Sequence, residues 1–425
     1  MTVSAQSQTR ISCLQQGLSV QIRGSIFDPH GYPTVIWPTP VNPERRYRLL
    51  IVGGGINGLC AAFHAIKRGV EPVALIDRFN LGHSNGSSHG LSRITRSAYV
   101  NEDYVSLMQV AHDQAWPELE QQLGTQLIYP SEGCFFGPPG SKYESYARAV
   151  TSVGVDCVEI SVAEARNLYP QFRFDNTPGV ILDRTAGLIA AEKSISGLSD
   201  FVAERIDVIE QTHVSEIDLG ASPIVLTTQA GSFSADAVIV TAGPWAKQLI
   251  PVLRPEVTVA RQTVSYIKLD TSPEAHTLGA FPVWGYLGGG DSLGYYGLPE
   301  FGRPGIKVAR HIIRGRDDDP DHPNEPSTDE IDELKTFIDD CFAPTLNEII
   351  DLETCHYTNT AHEDYIIDRH PENATCVIGS GFSGHGFKLG PVTGRALVDL
   401  AIDGSPSCET FQRVQDRFKL PGDSS

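Results

Sequence analysis

The sequence contains no C-x-x-C pair, no apolar run long enough for a membrane helix, no internal repeat, no low-complexity tract and no excess of basic residues. Each absence removes a class of protein. The cysteines Cys13, Cys60, Cys134, Cys157, Cys341, Cys355, Cys376 and Cys408 are scattered, so neither a zinc site nor a disulfide framework is expected, and no metal. Most should be buried small hydrophobes in a reducing, intracellular setting. Without roughly 20 consecutive apolar residues, no membrane span is expected. The formal net charge of −19 argues against nucleic acid or an anionic membrane as partner. It also means that any local cluster of Arg, Lys and His runs against the global trend. What remains is a soluble globular chain of 425 residues, 40% hydrophobic and 20% charged, long enough for about two domains with an ample core.

The chain is organised around residues 49–77. An apolar run, 49–52, leads into the glycine turn Gly53-Gly54-Gly55-Ile56-Asn57-Gly58. A helix-compatible run, 59–68, stops at Gly69, and a second apolar run, 73–76, ends on Asp77. This is a βαβ unit carrying G-x-G-x-x-G with an acid roughly 20 residues on. Gly53 allows the tight turn, Gly55 lets backbone approach a pyrophosphate, and Gly58 lets helix and strand pack closely. The helix N-terminus then offers free N–H groups and a partial positive charge to the phosphates. Asp77 can accept hydrogen bonds from a ribose diol and would repel a 2′-phosphate. The unit favours FAD or NAD over NADP and does not choose between the first two.

Residues 1–47 stand outside this unit as an N-terminal extension. The first acid is Asp28, and Arg10, Arg23, Ile11, Leu14, Leu18 and Ile22 loosely fit a mitochondrial-type transit peptide. A variable extension is the preferred reading, with the cytoplasm as location and the mitochondrion as the alternative. Five prolines between 28 and 43 suit an extended arm. Further on, 104–123 reads as a helix stopped by Gly124, 133–137 as a strand, and Ser161-x-x-Glu164 as a capping box. Residues 193–205 read as helix and 223–240 as strand, turn and strand. Strands are expected at 261–269, 294–298 and 307–313, and Ser327-x-x-Glu330 opens a helix ending near Pro344. A strand at 377–379 leads into a second glycine turn, 381–386, and a helix to about residue 402. Glycine-turn βα units thus sit at both ends, with strand-rich segments between. The pattern fits a discontinuous nucleotide domain (48–129, 188–257 and 361–425) interrupted by a β-rich substrate domain (130–187 and 258–360).

Several stretches together resemble the monomeric sarcosine oxidase family of FAD amine oxidases, which includes N-methyltryptophan, pipecolate and fructosyl amino acid oxidases. They are 51–58, 85–96 (NGSSHGLSRITR), 295–307 (YYGLPEFGRPGIK), 355–371 (CHYTNTAHEDYIIDRHP) and 381–389 (GFSGHGFKL). The resemblance implies a mixed α/β fold: a Rossmann-type FAD-binding domain, discontinuous, with an inserted substrate domain, as in D-amino acid oxidase. It implies covalent FAD, oxidation of a secondary amino acid, oxygen as acceptor, hydrogen peroxide as product, and a monomer.

The resemblance also assigns residues. Cys355 matches the position that attaches flavin through a thioether. Arg96 and Lys388 match the pair holding the substrate carboxylate, where guanidinium gives a fork and ammonium a point charge. Lys307 matches the lysine that promotes oxygen reduction. Tyr296 and His311 match residues lining the substrate cavity, and His89 and Arg93 match basic residues near the flavin ring. Around the cofactor the match extends to Gly53, Gly55, Ile56, Asn57, Gly58, Asp77, Arg78, Ser84, Ser88, Val214, Gly384, Gly386 and Lys388. Two departures stand out. His356 replaces the usual apolar neighbour of the flavin-linking cysteine, and 281–295 has no close match, so the amine stays open between sarcosine-like and pipecolate-like substrates. Rival readings are a biosynthetic oxidase of a cyclic or aromatic amine, an NAD-linked dehydrogenase using the same Asp77 unit, and a cofactor-binding scaffold without turnover.

Overall fold

A computed structural model describes residues 26–27, 33–34, 45–288, 294–311 and 317–421. It divides into units 1–42 and 43–425. In the first, Ile26–Phe27 pairs antiparallel with Pro33–Thr34; the transit-peptide positions lie outside the described residues. The second unit holds the remaining described residues.

Its first large sheet is built on parallel strands. Arg46–Val52 lies between Val73–Ile76 and Gly231–Val240, and Asp207–Ile209 and Asn373–Ser380 extend the parallel set on either side. Burial on both faces explains the continuous apolar runs that made two of these strands legible. The central strand begins at Arg46, earlier than expected. Arg46 and Arg48 alternate outward to Asp236 while Tyr47 is fully buried. The helix after the glycine turn runs Ile56–Lys67, with Gly69 left-handed at φ +64° beyond it. Helix Gly390–Ile402 crosses it closely: a Cβ on Gly394 would lie 2.6 Å from the Cys60 backbone.

The second large sheet is mostly antiparallel. Its strand order is Leu346–Thr360, Val257–Leu269, Ile306–Arg310, Tyr295–Leu298, Val283–Tyr286, Gly133–Phe136, Val180–Asp183 and Cys157–Ile160. Phe172, Phe281, Trp284, Phe337 and Phe342 pack one core against it. A three-stranded sheet, Ser92–Thr95, Gly187–Ala190 and Ile128–Pro130, carries Arg93. Both capping boxes form, opening Val162–Leu168 and Thr328–Cys341.

One expectation needs correction. The stretch 104–123 is not a uniform α-helix. Glu102–Val110 passes into a π-helical turn, Ala111–Ala115, and then Trp116–Leu123. Pro117 has no N–H to continue the ladder, and Trp116 N–H reaches back to Ala111 O. Among the described residues no helix is long and apolar enough to cross a membrane.

Candidate active site

The glycine turn is closed from behind by the segment after Gly231–Val240. Gly53 has φ +103°, and a Cβ there would lie 2.4 Å from the Thr241 carbonyl oxygen. A Cβ on Gly58 would lie 1.8 Å from the Gly53 carbonyl oxygen. Neither position admits a side chain. Gly55 caps the helix without a side-chain bond, and Ser88 Oγ accepts from Ile56 N–H at 3.1 Å. Asn57 is buried and accepts from Thr393 Oγ1 at 2.6 Å, tying the turn to Gly390–Ile402. Asp77 accepts from Gly54 N–H at 2.6 Å and from Phe79 N–H at 2.7 Å. Each carboxylate oxygen keeps a further lone pair for a ribose hydroxyl.

Cys355 lies on Leu346–Thr360 opposite Gln262, and Lys307 lies on Ile306–Arg310 opposite Tyr266. Both are buried. Lys307 Nζ donates to Ser92 O at 2.9 Å. The Arg93 guanidinium donates to the carbonyls of Ser92, Ser87 and His89 and lies 5.4 Å from the Phe387 ring centre. His89 Nε2 meets Thr354 O at 3.0 Å, while its Nδ1 is buried without a hydrogen-bond partner. Burial, reinforced by Arg93, takes Lys307 from its ordinary 10.5 to about 7 and His89 to about 4. Burial pushes the Cys355 thiol up, with Arg93 and Lys307 pulling the other way.

Arg96 and Lys388 meet at one aromatic ring. The Arg96 guanidinium carbon is 4.3 Å and Lys388 Nζ 5.8 Å from the centre of the Tyr99 ring. Both cations are 5% exposed. Arg96 Nη2 reaches Tyr146 OH at 3.3 Å, and Nη1 is buried with no hydrogen-bond partner. Burial, followed by repulsion from Arg96 and Arg93, holds Lys388 well below its ordinary value. The backbone after Arg96 is fixed by Asp183, fully buried, whose Oδ2 accepts from Ser97 N–H at 2.7 Å and Ala98 N–H at 2.9 Å.

A third group adjoins these. Tyr296 OH and Tyr357 OH are 3.3 Å apart, and the His311 ring lies 5.3 Å from that of Tyr357. His311 Nε2 is 3.8 Å from Glu363 Oε2, and Lys142 Nζ donates to Glu363 Oε1 at 2.6 Å. Burial lowers His311. Burial would raise the Glu363 carboxyl, but His311 and Lys142 pull it down to about 2. The Glu363 carbonyl accepts from His385 Nε2, whose Nδ1 meets Tyr365 OH at 2.8 Å and Tyr99 OH at 3.3 Å. Glu363 therefore joins the His311 side to the Tyr99 side. Gly384, at φ +74°, leaves room for Tyr357: a Cβ would lie 2.2 Å from its ring. A Cβ on Gly386 would lie 2.6 Å from Phe382.

Three further expected cofactor residues lie near Asp77 in sequence or through Thr212, whose N–H donates to the Asp77 carbonyl at 2.8 Å. Arg78 pairs with Asp321 at 2.8 Å and lies over Phe79 and Trp245. Ser84 is exposed, and Val214 is buried at the start of Val214–Asp218. His356 is buried with both ring nitrogens unpartnered. Tyr99, Lys142, Tyr146, Tyr357 and Glu363 escaped the sequence reading. Tyr357 alone carried a signal, since it shares a strand face with Cys355 two residues away.

The residues present fit a flavin dinucleotide. The turn is closed to any Cβ, Asp77 has acceptor capacity, and buried groups at Arg96 and His89 are left unpartnered beside a thiol and two lysines.

Known proteins point the same way. The family described as FAD dependent oxidoreductase matches residues 48–400. The chain is 34% identical over 382 residues to the peroxisomal sarcosine oxidase of Homo sapiens, covering 88% of this chain and 96% of that one. It is 31% identical over 373 residues to the monomeric sarcosine oxidase of Bacillus sp. (strain B-0618), covering 84% and 93%. Among solved structures it is similar to the open form of NikD, an unusual amino acid oxidase essential for nikkomycin biosynthesis (TM-score 0.74, 19% identity, 88% and 97% covered). Glycine oxidase from Geobacillus kaustophilus is also similar (TM-score 0.69, 18% identity, 89% and 100% covered). At such identities these two speak for the fold alone, and they bear out the mixed α/β amino acid oxidase fold expected from the sequence.

Proposed function

The chain belongs to the sarcosine oxidase family of FAD dependent oxidoreductases, and from that premise we propose that it oxidises a secondary or N-methyl amino acid to the imine, with oxygen reduced to hydrogen peroxide. The family decides for FAD between the two dinucleotides that the glycine turn leaves open. It makes the protein a flavin oxidoreductase acting on CH–NH donors. The substrate class rests on one observation: Arg96 and Lys388, both buried, flank one tyrosine ring, and Arg96 keeps an unpartnered N–H. A buried pair of cations without a counter-ion is a carboxylate site.

Held at the Gly53–Gly58 turn and Asp77, FAD would supply a two-electron acceptor for the C–H bond beside the amine nitrogen and a route for those electrons to oxygen. The protein does the rest. Arg96 and Lys388 hold the carboxylate and so fix which C–H faces the cofactor. Burial keeps His311 neutral, so its imidazole can accept the proton that the bound amine must lose. The Tyr296 and Tyr357 hydroxyls bound the amine side. Lys307, titrating near 7, can hold or release a proton where oxygen is reduced. Cys355 is the proposed point of covalent attachment, with Arg93 and Lys307 favouring its thiolate against burial. The two large sheets would supply the nucleotide and substrate domains at the boundaries given above. All seven described cysteines are unpaired, which suits a monomer working in the reducing cytoplasm.

Anaerobic titration of the purified protein with sarcosine, N-methyl amino acids, L-pipecolate, L-proline and a fructosyl amino acid tests this reading. One of them should bleach the visible flavin band. A flavin band that none of them bleaches would refute the substrate class.

A further inference from the structure

Arg96 and Lys388 sit on separate segments, yet a carboxylate site needs their spacing held to a fraction of an ångström. One element touches both. From helix Glu102–Val110, Gln109 Nε2 donates to Ser97 Oγ at 2.8 Å. From the π-helical turn, His112 Nε2 meets Thr95 Oγ1 at 2.6 Å. From the start of Trp116–Leu123, Trp116 Nε1 donates to the Lys388 carbonyl at 2.8 Å. Thr95 and Ser97 are the two chain neighbours of Arg96. The same element begins at the Asn101 cap, two residues after Tyr99, the ring on which both cations lie. Trp116 is fully buried and stacks on Phe387, the residue before Lys388, with centres 6.4 Å apart and planes 11° off parallel.

Gln109, His112 and Trp116 stand at i, i+3 and i+7, one stripe of the helical surface that runs through the π-helical turn. We propose that this helix is the jig that sets the Arg96–Lys388 spacing, with Gln109, His112 and Trp116 as positioning residues for the substrate carboxylate. The proposal rests on the reading of Arg96 and Lys388 as the carboxylate site.

The test uses the flavin-loaded protein and two redox-inert probes, benzoate and its amide benzamide, with binding followed as a change in the visible flavin band. Trp116→Phe keeps the stacked ring and removes the N–H. It should weaken benzoate by about two- to tenfold, the range one neutral hydrogen bond supports, and leave benzamide unmoved. With the amine substrate, KM should rise by more than kcat falls. His112→Ala should behave likewise, and His112→Gln, which can still bond Thr95, should restore benzoate affinity. If Trp116→Phe does not fold, the two His112 variants decide. Wild-type benzoate affinity in Trp116→Phe and His112→Ala would overturn the proposal. So would equal weakening of benzoate and benzamide, which would mean that the helix supports the pocket wall and not the cations. Arg96→Lys separates the two readings: if it leaves benzoate unchanged, the carboxylate site itself is wrong. If it weakens benzoate and the helix variants do not, only the positioning role fails.

Discussion

Replacing Lys307 by methionine should make the fold more stable while damaging the enzyme. Lys307 is 4% exposed and has no carboxylate within ion-pair distance among the described residues. Burial, then the Arg93 charge, brings it from 10.5 to about 7. That difference corresponds to about 5 kcal/mol between its charge states. Methionine matches the volume of the stem and carries no charge. It removes one of the two side-chain donors to the Ser92 carbonyl, Arg93 keeping the other, and a bond from a charged group lost in this way costs about 1.5–3 kcal/mol. The expected net gain at pH 7 is therefore about 2 kcal/mol. The sign with pH follows from linkage. Between pH 7 and 10.5 the unfolded lysine keeps its proton and the folded one loses it, so wild-type stability rises with pH across that window. The variant's advantage should be largest at pH 7 and below, and should shrink by about 1.4 kcal/mol per pH unit above it. Urea unfolding of the flavin-loaded protein at pH 7 and pH 9 measures this. At pH 9 the two proteins should be nearly equal. In stopped flow, reoxidation by oxygen should slow by about 100-fold or more, the scale of losing one aligned charge, with reduction by the amine little changed. A variant that is less stable at pH 7, or whose advantage is the same at both pH values, would refute the electrostatic argument.

Three further outcomes are expected. Acid precipitation should leave flavin in the pellet of the wild type and release it from Cys355→Ser; release from both would remove the covalent link. Glu363→Gln takes away the charge that opposes burial at His311, so the acid limb of kcat/KM should move to lower pH, and an unmoved limb would exclude His311 as the titrating group. In Gly58→Ala the new Cβ meets backbone at 1.8 Å, which no rotamer can relieve, so flavin content should fall more than tenfold; full occupancy would mean that this turn is not where the pyrophosphate sits.

The glycine turn and the helix caps were legible through backbone constraints, whereas Arg96, Lys307, Cys355 and Lys388 were legible only through the resemblance to a family. Gly53 and Gly58 were legible because a turn without room for Cβ leaves only one residue type. Both capping boxes were legible because cap and third residue are close in sequence. Residues whose meaning depends on contacts distant in sequence were silent. Lys142 caps the helix Tyr143–Val153 on which Tyr146 lies, and nothing around them in sequence announces Glu363 or Arg96. The π-helical turn was missed although Pro117 was in plain view, because periodicity alone continues through a proline that sits near a helix start as readily as through one that breaks a helix. The strand start at Arg46 was hidden by two outward arginines whose partner, Asp236, is far along the chain.

The net charge gives the site its last physical meaning. A chain at −19 has many carboxylates to spare, yet Arg93, Arg96, Lys307 and Lys388 have no ion-pair partner among the described residues. Three of the four are buried, and two are lysines whose charge burial strongly disfavours. Such an arrangement destabilises the free protein. It becomes favourable only when anions arrive, and the proposed reaction supplies them: a substrate carboxylate at Arg96 and Lys388, and negative charge gained on reduction beside Lys307 and Arg93. Binding should therefore raise the affinity of both lysines for a proton. Benzoate binding near pH 8 should take up protons from a weakly buffered solution, a signal that an uncharged analogue such as benzamide should not give. Equal proton uptake with both probes would mean that the cations answer to closure of the pocket and not to the charge of the ligand.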